Sequence, residues 1–243
     1  MVSMAQNRLL TEVLHAVVAG IAECKNVVLA RIWLIAPGDI CKSCRFRAEC
    51  PDQTRCLHLV ASAGNPGAAK QNYARLDGTF RRFPLGVRKI GRVGKSGEPL
   101  LRPDVRGDEE WIAEPKWMKR EGVKTFAGQP LVSRGEVLGV LAIFDTTVLG
   151  QGDFDWLRVF ADHAAVSIAN AHAFEEIEFL KARLEEENAY LRQEVTAALG
   201  VGDFVGESPD LRKVRSKSSS SRPRTPRCWS RWRHCRPLEC TSC

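Results

Sequence analysis

Four cysteines carry the densest chemistry in the chain. Cys41-x2-Cys44-x5-Cys50-x5-Cys56 places four thiols within sixteen residues. Thiolates that converge on one centre hold a soft cation, either Zn²⁺ or an iron–sulfur cluster. Lys42, Arg45, Arg47 and Arg55 stand among them, and nearby cations favour the deprotonated thiolate. Structural zinc sites more often use two Cys-x2-Cys knuckles, and only one is present, so the uneven spacing favours iron–sulfur over zinc. The plainer readings are unpaired surface thiols or adventitious disulfides. Cys24 lies outside the group and reads as an ordinary buried cysteine.

The segments on either side must position that loop. Asn26 to Ala36 is a strand ended by Pro37-Gly38, and Leu57 to Ala63 is a second strand stopped by Gly64-Asn65-Pro66-Gly67. Before them, residues 6–23 form an amphipathic helix with Leu9, Leu10, Val13, Val17, Val18 and Ile21 on one side. After them come a polar loop over 70–78, a short strand at 80–85 and a short helix among Gly86, Gly91, Gly94 and Gly97. A brief strand follows at 99–102, then a surface helix at 108–120 with Trp111 and Trp117 on one side. Thr125–Val132 and Val137–Phe144 form a hairpin across Ser133-Arg134-Gly135-Glu136. The order predicts an α+β fold: helices on one side of a mostly antiparallel sheet, and a half-open pocket on the other. The strand residues facing that pocket read as ordinary apolar ones, so its small-molecule ligand is unknown.

Other arrangements point away from catalysis. His163 and His172 lie nine apart on one helix and read as surface or partly buried histidines. The glycines at 91, 94 and 97 lack the preceding strand and the Lys-Ser/Thr of a phosphate-binding P-loop. The chain is therefore expected not to be an enzyme. A sulfoxide reductase working through Cys41 or Cys50 is the distant enzymatic reading, checked by activity on methionine sulfoxide.

At 243 residues with 44% hydrophobic content, one to two domains with a true core are expected. No run approaches the length of a membrane span and no cleavable leader opens the chain, so a cytoplasmic protein without membrane contact is expected. The net charge of +7 sits mostly in residues 216–243, where seven basic side chains face Glu239 alone.

From Phe154 to Ala198 the pattern is one long helix, first with a broad apolar face and then with a narrow seam. Ile177, Leu184 and Leu191 recur at sevens, with Asn188 and Val195 at the alternate position. Leu at d with one polar Asn at a predicts a parallel homodimeric coiled coil, although Lys181 also falls on the seam. A solvated single helix is the plainer reading.

Leu57–Gly64, Gly91–Pro99 and Gly128–Leu141 resemble a GAF sensory domain. Leu184–Val195 resembles the linker of sigma-54-dependent, enhancer-binding transcriptional activators of the NtrC/Fis type. Asp203–Val214, with Val205, Gly206, Glu207 and Ser208, resembles the opening of their AAA+ ATPase domain, beside the adenine site. The resemblance implies a GAF domain at 5–172, a coiled-coil signalling linker at 173–199 and an ATPase fragment at 200–215. It also implies a regulatory domain that relays ligand, metal or redox state through a dimeric coil, with the full-length regulator as a further partner. The alternative is a free-standing cytosolic GAF redox or metal sensor acting on a partner protein, which has no reason to keep Gly206-Glu207-Ser208-Pro209.

Past Val214 the family pattern stops. Codons for residues 215–230 exist that, read one nucleotide earlier, encode V-E-I-E-L-V-A-P-T-D-A-A-V-L-V, a string like the family's next strand. The Ser/Arg/Pro-rich tail at 216–243 is therefore expected to be disordered and to come from a shifted reading frame. Rival readings are a basic nucleic-acid arm using Trp229 and Trp232, or a zinc knuckle from the four tail cysteines. No direct DNA binding is expected of this chain.

Overall fold

Val27–Pro37 (β1) is a run of Val, Leu, Ile and Trp broken by a single charge, and it lies inside a six-stranded antiparallel sheet. The computed structural model describes residues 2–51, 53–65, 72–105, 114–198, 209, 210 and 213. Val2–Ala22 (α1) precedes β1, and Arg55–Ala63 (β2), Arg82–Pro84 (β3) and Arg88–Ser96 (α2) follow it. Next come Leu100–Arg102 (β4), Pro115–Glu121 (α3), Thr125–Ser133 (β5), Glu136–Asp145 (β6) and Gln151–Ala198 (α4). The strand order is β3-β2-β1-β6-β5-β4.

Alternation along each strand divides the interior in two. Ala30 and Ile32 of β1, Ala127 and Leu131 of β5, and Leu141 and Ile143 of β6 face α1 and α4. The helices answer with Leu14, Val18 and Ile21 and with Leu157, Ala161, Ala164 and Ile168, at the i, i+3, i+4 spacing of a buried face. Leu29 and Trp33 of β1, Leu57 and Leu59 of β2, Phe126 of β5 and Val140 of β6 turn to the opposite side, toward α2 and α3. Between β1 and β2 the register slips by one residue, so that Val60 has no partner opposite it.

The expected β5–β6 hairpin is present, and its strands run on through Ser133 and Glu136, which leaves a two-residue turn. Arg134 (φ 51°) and Gly135 (φ 82°) are both left-handed, as a type I′ turn requires to match the twist of its strands. The helix expected at 108–120 is described only as α3, which starts at Pro115. Proline suits the first helical turn, and its ring disfavours helical geometry in the residue before it. Trp111 lies outside the described residues.

Clustering divides the chain into two compact units, Met1–Ala182 and Arg183–Cys243. Along α4 the apolar face toward the sheet ends at Ile168, and residues 181–197 are all exposed. Ile177 is 58% exposed, Leu184 64%, Leu191 50% and Val195 55%. Val205, Gly206, Glu207, Ser208 and the tail from 216 lie outside the described residues. No helix among the described residues is long and apolar enough to cross a membrane.

Candidate functional site

The loop between β1 and β2 carries three of the four clustered cysteines, and β2 carries the fourth. Gly38 N–H donates to the Thr54 carbonyl at 2.8 Å and closes the base of the loop. Cys56 is held on the sheet between Ala36 and Pro84. Cys41, Cys44, Cys50 and Cys56 line one hollow of about 20 Å³, and all four are free thiols. A side chain at Gly38 would bring its Cβ to 2.7 Å from Cys41 Sγ, so glycine there makes room for the sulfur. Burial pushes the Cys56 thiol up to about 11.

No three of these sulfurs lie within 4.8 Å of one another; among the described residues the trio of ligand atoms that does so belongs to Asp39, Cys56 and His58. Zinc at about 2.3 Å from each sulfur would set all four roughly 3.8 Å apart, closer than any three of these sulfurs stand. Asp39 and His58 escaped the sequence reading because neither belongs to the cysteine spacing. Asp39 is already answered, for Arg82 Nε donates to its Oδ1 at 2.9 Å. His58 Nε2 makes no hydrogen bond and stands 3.9 Å from the same oxygen. Burial, and then the Arg82 charge, lower the His58 pKa and keep its ring neutral.

The Arg82 fork holds the Asp39 carboxyl well below the ordinary carboxylate range. A carboxylate with a depressed folded pKa adds stability above its unfolded value near 3.9 and loses it as the pH falls through the folded one. Acid unfolding followed by tryptophan fluorescence should therefore steepen below about pH 4, and Asp39→Asn should flatten that part of the curve.

On the far side of the loop lies a larger chamber, of about 980 Å³. It opens on the sheet face opposite α1 and α4. Leu29, Arg31 and Trp33 of β1 form part of its floor, with Phe126 and Phe144 beside them. Lys89 of α2, Trp117 and Met118 of α3 and the segment 72–81 form its walls. The expectation of purely apolar pocket residues is corrected here. Seven basic side chains line the chamber against two acidic ones among the described residues. The signal was present in β1, where Arg31 is the lone charge in an apolar strand and shares the face of the buried Leu29 and Trp33.

The thiol loop and the chamber share structure. Phe46 is buried, stacks on Phe83 at 4.9 Å and meets Phe80 at 6.2 Å. The Arg45 guanidinium stands 5.0 Å over the Phe80 ring. Glu49 accepts from Arg88 at 2.9 Å. Phe80, Phe83 and Arg88 all line the chamber. His163 and His172 are exposed on α4 and belong to neither site.

The chain is 30% identical over 131 residues to the formate hydrogenlyase transcriptional activator FhlA of Escherichia coli, a match covering 51% of this chain and 18% of that protein. The formate hydrogenlyase transcriptional activator of Salmonella typhimurium is likewise 30% identical over 130 residues, again 51% and 18% of the two chains. The chain thus spans less than a fifth of the length of these curated relatives. Among solved structures, the type II free methionine-R-sulfoxide reductase of Thermoplasma acidophilum is 14% identical with a TM-score of 0.49, over 70% of this chain and 96% of that one. The GAF domain of a phosphoenolpyruvate-protein phosphotransferase from Coxiella burnetii is 22% identical with a TM-score of 0.48, over 69% and 86%. The family description "GAF domain" matches residues 9–168, about two thirds of the sequence. With that span and this sheet, the chain belongs to the GAF domain family.

Proposed function

We propose that this chain is the signal-sensing part of a transcriptional regulator of the sigma-54-dependent type. Its inputs are the thiol loop and the chamber behind it, and its output is a homodimeric coil along α4. The observation that carries the reading is the convergence of Cys41, Cys44, Cys50 and Cys56 on one hollow, in a loop whose Phe46 and Glu49 touch Phe80, Phe83 and Arg88 of the chamber lining. The likeness to two transcriptional activators supports the regulatory half of it. The reading gives the chain no catalytic role.

The donor set suits a thiolate-bound metal centre. Three ligands sit on a loop that can adjust and one on a strand that cannot. No three of them stand close enough together for one zinc ion, whereas an iron–sulfur cluster takes its thiolates on different irons. Bound there, such a centre would supply an oxidation-sensitive charge. The protein's own part is to hold four sulfurs around it and to carry any shift of the loop through Phe46 and Glu49. A signal acts only through differential affinity for two arrangements of the domain.

Purification without oxygen, followed by iron, sulfide and zinc analysis and an absorption spectrum, tests this. The expected result is a brown protein with bound iron and sulfide, which loses both in Cys44→Ser and Cys50→Ser. Colourless protein without iron or zinc, at the same thermal stability as the serine variants, would sink the thiol-loop reading.

A further inference from the structure

The least explained polar atom of the thiol region belongs to a histidine. His58 Nε2 is buried and makes no hydrogen bond. The ring bonds to the Pro37 carbonyl, and with Nε2 unpartnered that bond falls to Nδ1–H. The tautomer is thereby set, with the proton on Nδ1 and a bare lone pair on Nε2. Nε2 stands 3.9 Å from Asp39 Oδ1, and the Cys56 sulfur lies within 4.8 Å of a ligand atom on each. A buried acceptor left so near a carboxylate is unfavourable and calls for an explanation. An ion pair with a protonated ring does not supply one, because such bonds close to about 2.7–2.9 Å.

Chain geometry brings the three groups together. Cys56 and His58 are two residues apart on β2, so both project from one face of the sheet. Asp39 meets them from the opening of the β1–β2 loop, where Ile40 N–H (2.8 Å) and Arg82 Nε (2.9 Å) orient its carboxylate. Imidazole, thiolate and carboxylate are all ligands that zinc accepts, and around a tetrahedral ion their atoms stand roughly 3.3–3.8 Å apart. The distance from Nε2 to Oδ1 already lies beside that range. A metal-binding histidine is commonly held by its other N–H on a backbone carbonyl, which is the part Pro37 plays here. The Asp39 side chain is 43% exposed and that of His58 15%, so an ion enters from the Asp39 side.

We infer that Asp39, Cys56 and His58 bind one divalent transition-metal ion of the zinc class, with water in the fourth position. His58 and Cys56 anchor the ion. Asp39 is the exchangeable ligand, since Arg82 holds it until the ion arrives. Cys56 gives up its thiol proton to solvent on binding. The inference goes beyond the proposed cluster and does not rest on it. The two share Cys56, so an ion on His58 and a four-thiol cluster exclude each other in one molecule.

The test takes the full chain, purified without oxygen and stripped of metal by a chelator, and titrates it with Co²⁺, whose colour reports its ligands. One equivalent should bind in tetrahedral form, with a thiolate-to-cobalt absorption of the strength of one sulfur ligand, and Zn²⁺ should displace it. His58→Gln should weaken cobalt by about ten-fold or more. Cys44→Ser and Cys50→Ser should leave cobalt affinity unchanged.

No cobalt binding, full affinity in His58→Gln, an absorption of two or more sulfurs, or an equal loss in the two serine variants would each overturn the inference. The absorption needs no variant, so it decides the matter if His58→Gln does not fold. Iron and sulfide are measured before stripping and judge the cluster alone. Cobalt binding that depends on His58, in a chain without iron or sulfide, sinks only the cluster reading; iron and sulfide with cobalt indifferent to His58 sink only this one.

Discussion

Introducing aspartate at both Leu184 and Leu191 should convert the protein from a dimer to a monomer, with little change in the melting of the sensory domain. Both side chains point into solvent in the single chain, so the monomer loses no packing. Exchanging leucine for aspartate on an exposed helix costs roughly 0.5 kcal/mol per site in propensity. In a parallel dimer the same exchange removes two d-layer leucine pairs and brings four carboxylates into the seam. Burying each leucine is worth roughly 1.5–3 kcal/mol, so dimer affinity should fall by at least a thousand-fold. The sixteen residues from 183 to 198 are about the length at which isolated helices are marginal in water. Helix content should therefore fall together with the dimer. Light scattering after size exclusion reads the mass, and circular dichroism reads the helix. A wild-type monomer, or a variant that stays dimeric, would remove the coil from the proposal.

Gly91→Ala should be the most damaging conservative change in the sensory domain. A Cβ at Gly91 would stand 2.1 Å from the Pro84 carbonyl oxygen, and backbone cannot give way as a side-chain tip can. Either α2 shifts away from β3 or the local fold is lost. Overpacking of this kind costs about 3 kcal/mol, which is about 10 °C in melting temperature for a domain of this size. Because Arg88 and Lys89 enter the chamber from the first turn of α2, the chamber lining should shift with it. Gly94→Ala makes the contrast. Its Cβ would meet only the tip of the Leu57 side chain, with Cδ1 nearest at 2.9 Å, which gives way more cheaply than backbone, and alanine is the better helix former by about 1 kcal/mol. Its melting temperature should stay within a few degrees of the wild type. Equal effects from the two changes would mean that α2 does not sit where the geometry puts it.

Those glycines also show what could be read from the residues alone. Their spacing lacks the marks of a phosphate cradle. Their actual task is close approach: Gly91 to Pro84, Gly94 to Leu57, and Gly97 as the left-handed cap of α2 (φ 70°). That became visible only with the partner elements in place. The strands β1, β2, β5 and β6, the Arg134-Gly135 hairpin and the long helix were legible because alternation, turn residues and helical spacing are local properties. The four cysteines were legible as a group, but their shared hollow depends on the return of β2 beside β1, and Asp39 and His58 joined only through that fold. Arg31 escaped the sequence reading for a simple reason. A lone arginine in an apolar strand looks like an edge or a flaw until the sheet shows which face it shares with Leu29 and Trp33. The start of α3 was obscured by Pro115, which suits the first helical turn and disfavours helical geometry in the residue before it.

Phe46 and Glu49 leave a last consequence. Three groups that enclose the cationic chamber, Phe80, Phe83 and Arg88, lean on the segment that bears the thiols. Free energy is indifferent to the direction in which such a strut is pushed. If loss of a metal from the thiol loop loosened a ligand of the chamber ten-fold, that ligand at saturation would tighten the metal ten-fold in return. A cell holding both would then read their conjunction, an AND gate whose two keys are stored about one aromatic stack apart.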